Sequence, residues 1–201
     1  MTVPGGEQLL SVAVGLGLAA ASGFRVFLPL LAAGAASRLG YLPLAGGFDW
    51  LSTTPALVAL GVATVTEILA YYIPWLDNAL DTIATPAAVA AGVLASMAVL
   101  TDVPPGLRWA IGIIGGGSAA GLIQGITALL RLKSSAFTGG LANPVIATIE
   151  LFGAGTVALL AIALPLLALT VIVVLLVLGC RATGRLLFGR RGPPTIPPAP
   201  A

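Results

Sequence analysis

Histidine is absent from this 201-residue chain, which removes His-type zinc sites and His-based acid–base catalysis. Cys180 is the single cysteine, so an intrachain disulfide and a CxxC motif are both excluded. Charge is scarce as well. Asp, Glu, Lys and Arg make up 8% of the residues, against about 25% in ordinary soluble domains. That is too little to cover a water-facing surface. A basic face on a soluble domain, which nucleic-acid binding requires, cannot be assembled. The N-terminal MTVPGGEQ lacks the basic stretch of a signal peptide, so the apolar run after it is expected to stay as the first span.

What is present is apolar. The chain is 58% hydrophobic, and runs of about 20 apolar residues recur along it, the signature of transmembrane helices. We therefore expect an all-α polytopic membrane protein with five to seven membrane segments. Residues 1–180 would form one transmembrane domain. Residues 181–201, basic and then Pro-rich, would form a tail that is disordered towards its end.

Taken in order, Glu7 to Ser22 reads as a first helix, with Gly15, Gly17, Gly23 and Ala19 to Ala21 as a small-residue surface for close helix approach. Phe24 to Gly40 is bounded by Arg25 and Arg38 and interrupted by Pro29 and Gly34. At about 16 residues, or ~24 Å, it is short for a ~30 Å hydrocarbon core. It reads as a short, broken or re-entrant helix. A loop with Trp50 as an interface anchor leads to Pro55, which opens a helix to Ile73 with Thr54 as its N-cap. After a turn at Pro74 to Asp77, a new run starts at Thr82 or Thr85 and stops at TDVPPG. A glycine-rich span follows to Arg131, its glycines read as close helix packing. Ser134 to Glu150 is again short, polar and broken. Last comes a run of about 30 residues, Leu151 to Cys180, which must tilt, protrude or kink at Pro165. The order long, short, long occurs twice, which suggests an internal duplication of the kind that builds transporter sites.

With seven crossings, seven of the nine basic residues fall on the side of the C-terminus. That places this side in the cytoplasm.

The candidate chemistry centres on EILAYYIPWLDNALD, Glu67 to Asp81, which holds three of the seven acidic residues. A carboxylate near the centre of a bilayer costs roughly 2.5 kcal/mol or more, so it marks a site by default. Glu67, about 9 Å inside its helix end, is read as a ligand for a cation or proton. The other reading pairs it with Arg25 or Arg131 to fix helix packing. Asp77 and Asp81 lie one turn apart, either as part of that site or as a solvated helix start. Ser135, Thr138, Asn143 and Glu150 sit with Gly139, Gly140 and Pro144 in a segment whose backbone could line a substrate path. Arg25 could hold an anionic partner bidentately. No nucleophile, metal set or cofactor motif is legible, so we expect a transporter or channel-like protein rather than an enzyme. Its partners would be membrane lipids, a small ion or proton, and, through the small-residue faces, a second copy in a homo-oligomer. A non-transporting scaffold or lipid-binding protein is the alternative.

The stretches SGFRVFLPLLAAGAASRLG, EILAYYIPWLDNALD and SSAFTGGLANPVIATIE, in that order and spacing, resemble a bacterial integral-membrane family catalogued as domain of unknown function 4126. The likeness runs over roughly residues 8 to 170. It implies a small helical protein of the bacterial inner membrane in which Glu67, Pro74, Asp77, Asp81, Arg131, Ser135, Gly140, Asn143, Pro144 and Glu150 occupy recurring polar and breaker positions. Tyr71 and Tyr72 stand here where such proteins tend to carry a charged residue. The resemblance brings no activity with it.

Overall fold

A computed structural model describes residues 6–187, without the side chains of Pro74, Trp75, Asp77, Asn78, Ala79, Asp81, Ala182, Thr183, Arg185, Leu186 and Leu187. Helices account for most of it, and there is no strand among the described residues. Seven helices follow one another: α1 Gly6–Ser22, α2 Leu28–Arg38, α3 Thr54–Ala70, α4 Pro74–Val99, α5 Pro105–Thr138, α6 Asn143–Ala163 and α7 Pro165–Leu187. A 3₁₀ turn, Asp49–Ser52, precedes α3. The basic start of the tail continues α7 to Leu187. The Pro-rich end lies outside the described residues.

The breaks follow the local chemistry. Thr53, one residue before the expected cap, accepts the Ala56 N–H on its hydroxyl at the head of α3, and Pro55 sits in the first turn. Thr54 instead accepts Arg38 Nη1 at 2.6 Å. The fourth helix opens at Pro74, eight residues before the expected start, so Asp77 and Asp81 fall in its first two turns and Pro86 lies inside it. Leu164, ahead of Pro165, splits the last apolar run into α6 and α7. Ser134 to Glu150 is not a separate short helix. It is a corner: the end of α5, a turn in which Gly139 and Gly140 take φ of +62° and +87°, and the opening of α6. Only α2 remains short, at about 16 Å.

The first helix is the hub, buried almost continuously from Ala13 to Ser22 and packed on α4, α6 and α7. Its small residues make this possible. A Cβ at Gly17 would come 2.5 Å from Ala161 Cβ, and one at Gly23 would come 2.5 Å from the Ala120 carbonyl oxygen. Across α4 and α5, a Cβ on Gly92 or Gly116 would meet the other's carbonyl oxygen at 2.8 or 2.6 Å. Here α5 widens into a π segment, Ile111–Gly117. Such contacts replace hydrophobic burial as the source of helix association in lipid. Among the described residues three helices, α4, α5 and α6, are long and apolar enough to cross a membrane, and α1, α3 and the first part of α7 are shorter apolar helices.

The connections sort into two ends. Gln8 donates to the Asp102 carbonyl, and the Ala45 N–H donates to the Ala98 carbonyl at 2.7 Å. The start of α1, the α2–α3 loop and the α4–α5 loop therefore share one end. The α1–α2 link, the end of α3 and the α5–α6 corner share the other, and the site is built there.

Candidate functional site

Phe27 caps α2 without a side-chain bond of its own, and Pro29 in the first turn has no N–H to offer. The free amides just before the helix are met from another element. Val26 N–H donates to Glu67 Oε1 at 2.8 Å, and Phe27 N–H to Glu67 Oε2 at 3.2 Å. A carboxylate suits this place because the amino end of a helix carries partial positive charge. Glu67 therefore ties α3 to the tip of the α1–α2 hairpin. It does so through backbone amides rather than through Arg25 or Arg131.

The arginines belong to Glu150. Arg131 Nη2 donates to Glu150 Oε2, and Arg25 Nη2 stands 3.6 Å from the same oxygen while donating to the Ala147 carbonyl at 2.6 Å. All three side chains are nearly sealed, at 1%, 1% and 3% exposure for Arg25, Arg131 and Glu150. Ions so deep in a protein are tolerable only when paired. Both guanidiniums also lie over the ring of buried Tyr71, 4.2 Å (Arg25) and 4.0 Å (Arg131) from its centroid. Tyr72 reaches the other way, its hydroxyl 2.9 Å from Thr148 Oγ1 on α6. Among the described residues, Arg25 Nε and Nη1 and Glu150 Oε1 have no hydrogen-bond partner.

The other predicted residues divide. Asn143 is buried and donates to Ser135 Oγ at 3.0 Å, which closes the α5–α6 corner one helical turn beyond Arg131. Thr138 is exposed and serves the corner locally, bonded to Ser134 O and Ala142 N. Asp77 and Asp81 have backbone in α4, but their side chains lie outside the described residues. So Arg25, Arg131 and Glu150 form one cluster, Glu67 stands beside it on the backbone, and Ser135 and Asn143 adjoin it. Tyr71 is the member that sequence reasoning passed over. Its position directly after a helix that carries a carboxylate was the available signal. Among the described residues no group of three or more Asp, Glu or Cys could hold a metal ion.

Two cavities flank the bundle core. One of about 330 Å³ opens between α3 and α4, with Glu67, Tyr71, Val26, Phe27, Ala84 and Ala87 among its walls. The other, about 350 Å³, lies at the opposite end beside Glu7, Ser11, Tyr41, Val99 and Asp102. Along α4 between them, Gly92 and Ser96 are pressed against Gly116 and Gly15.

A family model described as Domain of unknown function (DUF4126) matches residues 12–185. The chain belongs to this family. No curated protein and no solved structure matches it. Within the DUF4126 match lie every site residue described above and all seven helices except the first turns of α1 and the last residues of α7. With its apolar helices, the match identifies a membrane protein.

Proposed function

We propose that this chain is a small secondary transporter of the bacterial inner membrane, with its C-terminal side in the cytoplasm and Glu67 as the carboxylate that carries a proton or cation. One observation supports this reading best. Glu67 lines a cavity, and its hydrogen bonds hold two separate elements together, α3 and the α1–α2 tip. Loading a proton on Glu67 removes the charge that favours those two amides and takes up part of its acceptor capacity. α3 is the helix most able to respond, since Thr64 is its only buried residue. The close contacts of Gly92 and Ser96 with Gly116 and Gly15 lie along α4 between the two cavities, which favours alternating access over an open channel. A homo-oligomer would use the exposed Val58, Val62, Val65 and Leu69 face of α3, because the glycine faces of α1 are consumed inside the bundle.

A second reading, a non-transporting scaffold or lipid-binding protein, is favoured by the Arg25–Glu150–Arg131 group, whose two arginines meet a carboxylate of the chain itself rather than a cavity. The test is proton flux after a pH jump in liposomes, wild type against Glu67→Gln. We expect flux in the wild type and none in a folded Glu67→Gln. Equal flux in both sinks the role of Glu67. No flux in either, with early melting of Glu67→Gln, favours the scaffold.

A further inference from the structure

We infer that the crevice between α3 and α4 is a binding site for a small amphiphilic amine, its ammonium on Glu67 and its apolar body among Ala63, Ala70, Ile83, Ala84 and Ala87. As a statement of substrate class this rests on the transport reading of Glu67, but the binding can be measured without transport. The volume, about 330 Å³, lies at the small end of ligand pockets, roughly 300–1,000 Å³. The room comes from alanines at four wall positions, where larger side chains would close it.

The polar demand inside it is specific. Each Glu67 oxygen accepts one backbone N–H, so each keeps a lone pair for a further donor. Among the described residues no salt bridge closes on Glu67: Arg25 and Arg131 make their ion pairs with Glu150 and act on Glu67 only through space. Thr66, the hydroxyl nearest in sequence, is committed to the Val62 carbonyl at 2.8 Å. An acyl chain would leave the carboxylate unanswered, and a phospholipid phosphate would be repelled by it. An ammonium supplies both donors and opposite charge. A carboxylate that holds either a proton or an ammonium can exchange one for the other, which gives the transport reading a coupling rule.

The experiment is calorimetric titration of the full chain in lipid nanodiscs, with 2-phenylethylamine as its ammonium ion and the neutral 2-phenylethanol as a shape-matched control. We expect saturable binding of the amine, about ten-fold or more weaker binding of the alcohol, and a similar loss in Glu67→Gln. Ala63→Leu fills the crevice while sparing Glu67 and its two amides, and should also abolish binding even if Glu67→Gln does not fold. Equal binding of amine and alcohol, or undiminished binding in Ala63→Leu, would overturn the proposal. So would a phospholipid that co-purifies with wild type and is lost from Ala63→Leu, which would make the occupant a lipid. Proton flux dependent on Glu67 but no amine binding defeats this inference and leaves the transport reading standing. Amine binding without flux does the reverse.

Discussion

Glu150 is the side chain whose loss should cost most. It answers two buried guanidiniums at once, and removing one partner of a buried ionic group typically costs about 3–5 kcal/mol because the remaining charge is stranded. Glu150→Gln should therefore lower the melting temperature in detergent far more than Glu67→Gln. The latter keeps one carbonyl oxygen for the two amides and loses about 1–3 kcal/mol. Equal melting shifts in the two variants would contradict this division of labour. The carboxylate with the structural burden is thus the one in the α5–α6 region. The one in the α3 helix borders open space. Read as a string, the chain offered Arg25 or Arg131 to Glu67 rather than to Glu150, since Arg25 is distant from Glu150 in sequence and that pairing is made only when α6 packs beside the α1–α2 link.

At the scale of helices, the glycines separate into those that are spent and those that are idle. Gly17 has Ala161 against it, whereas Gly61 in α3 has nothing within 4 Å. Gly17→Leu should force α1 away from α6, with a cost of about 1–3 kcal/mol or more for overpacking. Gly61→Ala should be neutral or stabilise α3 by about 0.5–1 kcal/mol. Thermal melts of both variants in one detergent check the contrast, and a larger loss at Gly61 than at Gly17 would refute it. The close-packing surface was legible from the spacing of Gly15, Gly17 and Gly23. Which neighbours would fill it was not. Composition also hid the α5–α6 corner, because Gly-Gly and Asn-Pro mark a break without saying whether a short helix or a turn between two long ones occupies it.

For the whole molecule, the two-ended arrangement makes a sidedness prediction. With Cys180 replaced by Ser, Gly46→Cys in the α2–α3 loop and Leu141→Cys at the α5–α6 corner are both exposed positions. An impermeant thiol reagent should label them from opposite faces of oriented vesicles. Labelling of both from one face would overturn the alternating path of the chain. Arg25 and Arg131 are sealed against Glu150 and Tyr71. They therefore act less as surface charges than a count along the sequence supposes, and Lys133 and the basic residues from Arg181 onward carry more of the bias.

By itself the sequence determined that this is an all-helical membrane protein, because a chain 58% hydrophobic and 8% charged has apolar runs of about 20 residues, the length of a membrane helix and about twice that of a barrel strand. It also determined where the polar residues concentrate, since each stands out against an apolar background. Only the tertiary structure decided which acid meets which base, that Glu67 binds backbone amides rather than an arginine, and that Tyr71 lies beneath two guanidiniums. Those pairings join residues on different helices, from 19 positions apart for Arg131 and Glu150 to 41 for Glu67 and Val26 and further still for Arg25 and Glu150. Helical periodicity places a side chain on a face, but the partner across that face depends on how seven helices pack.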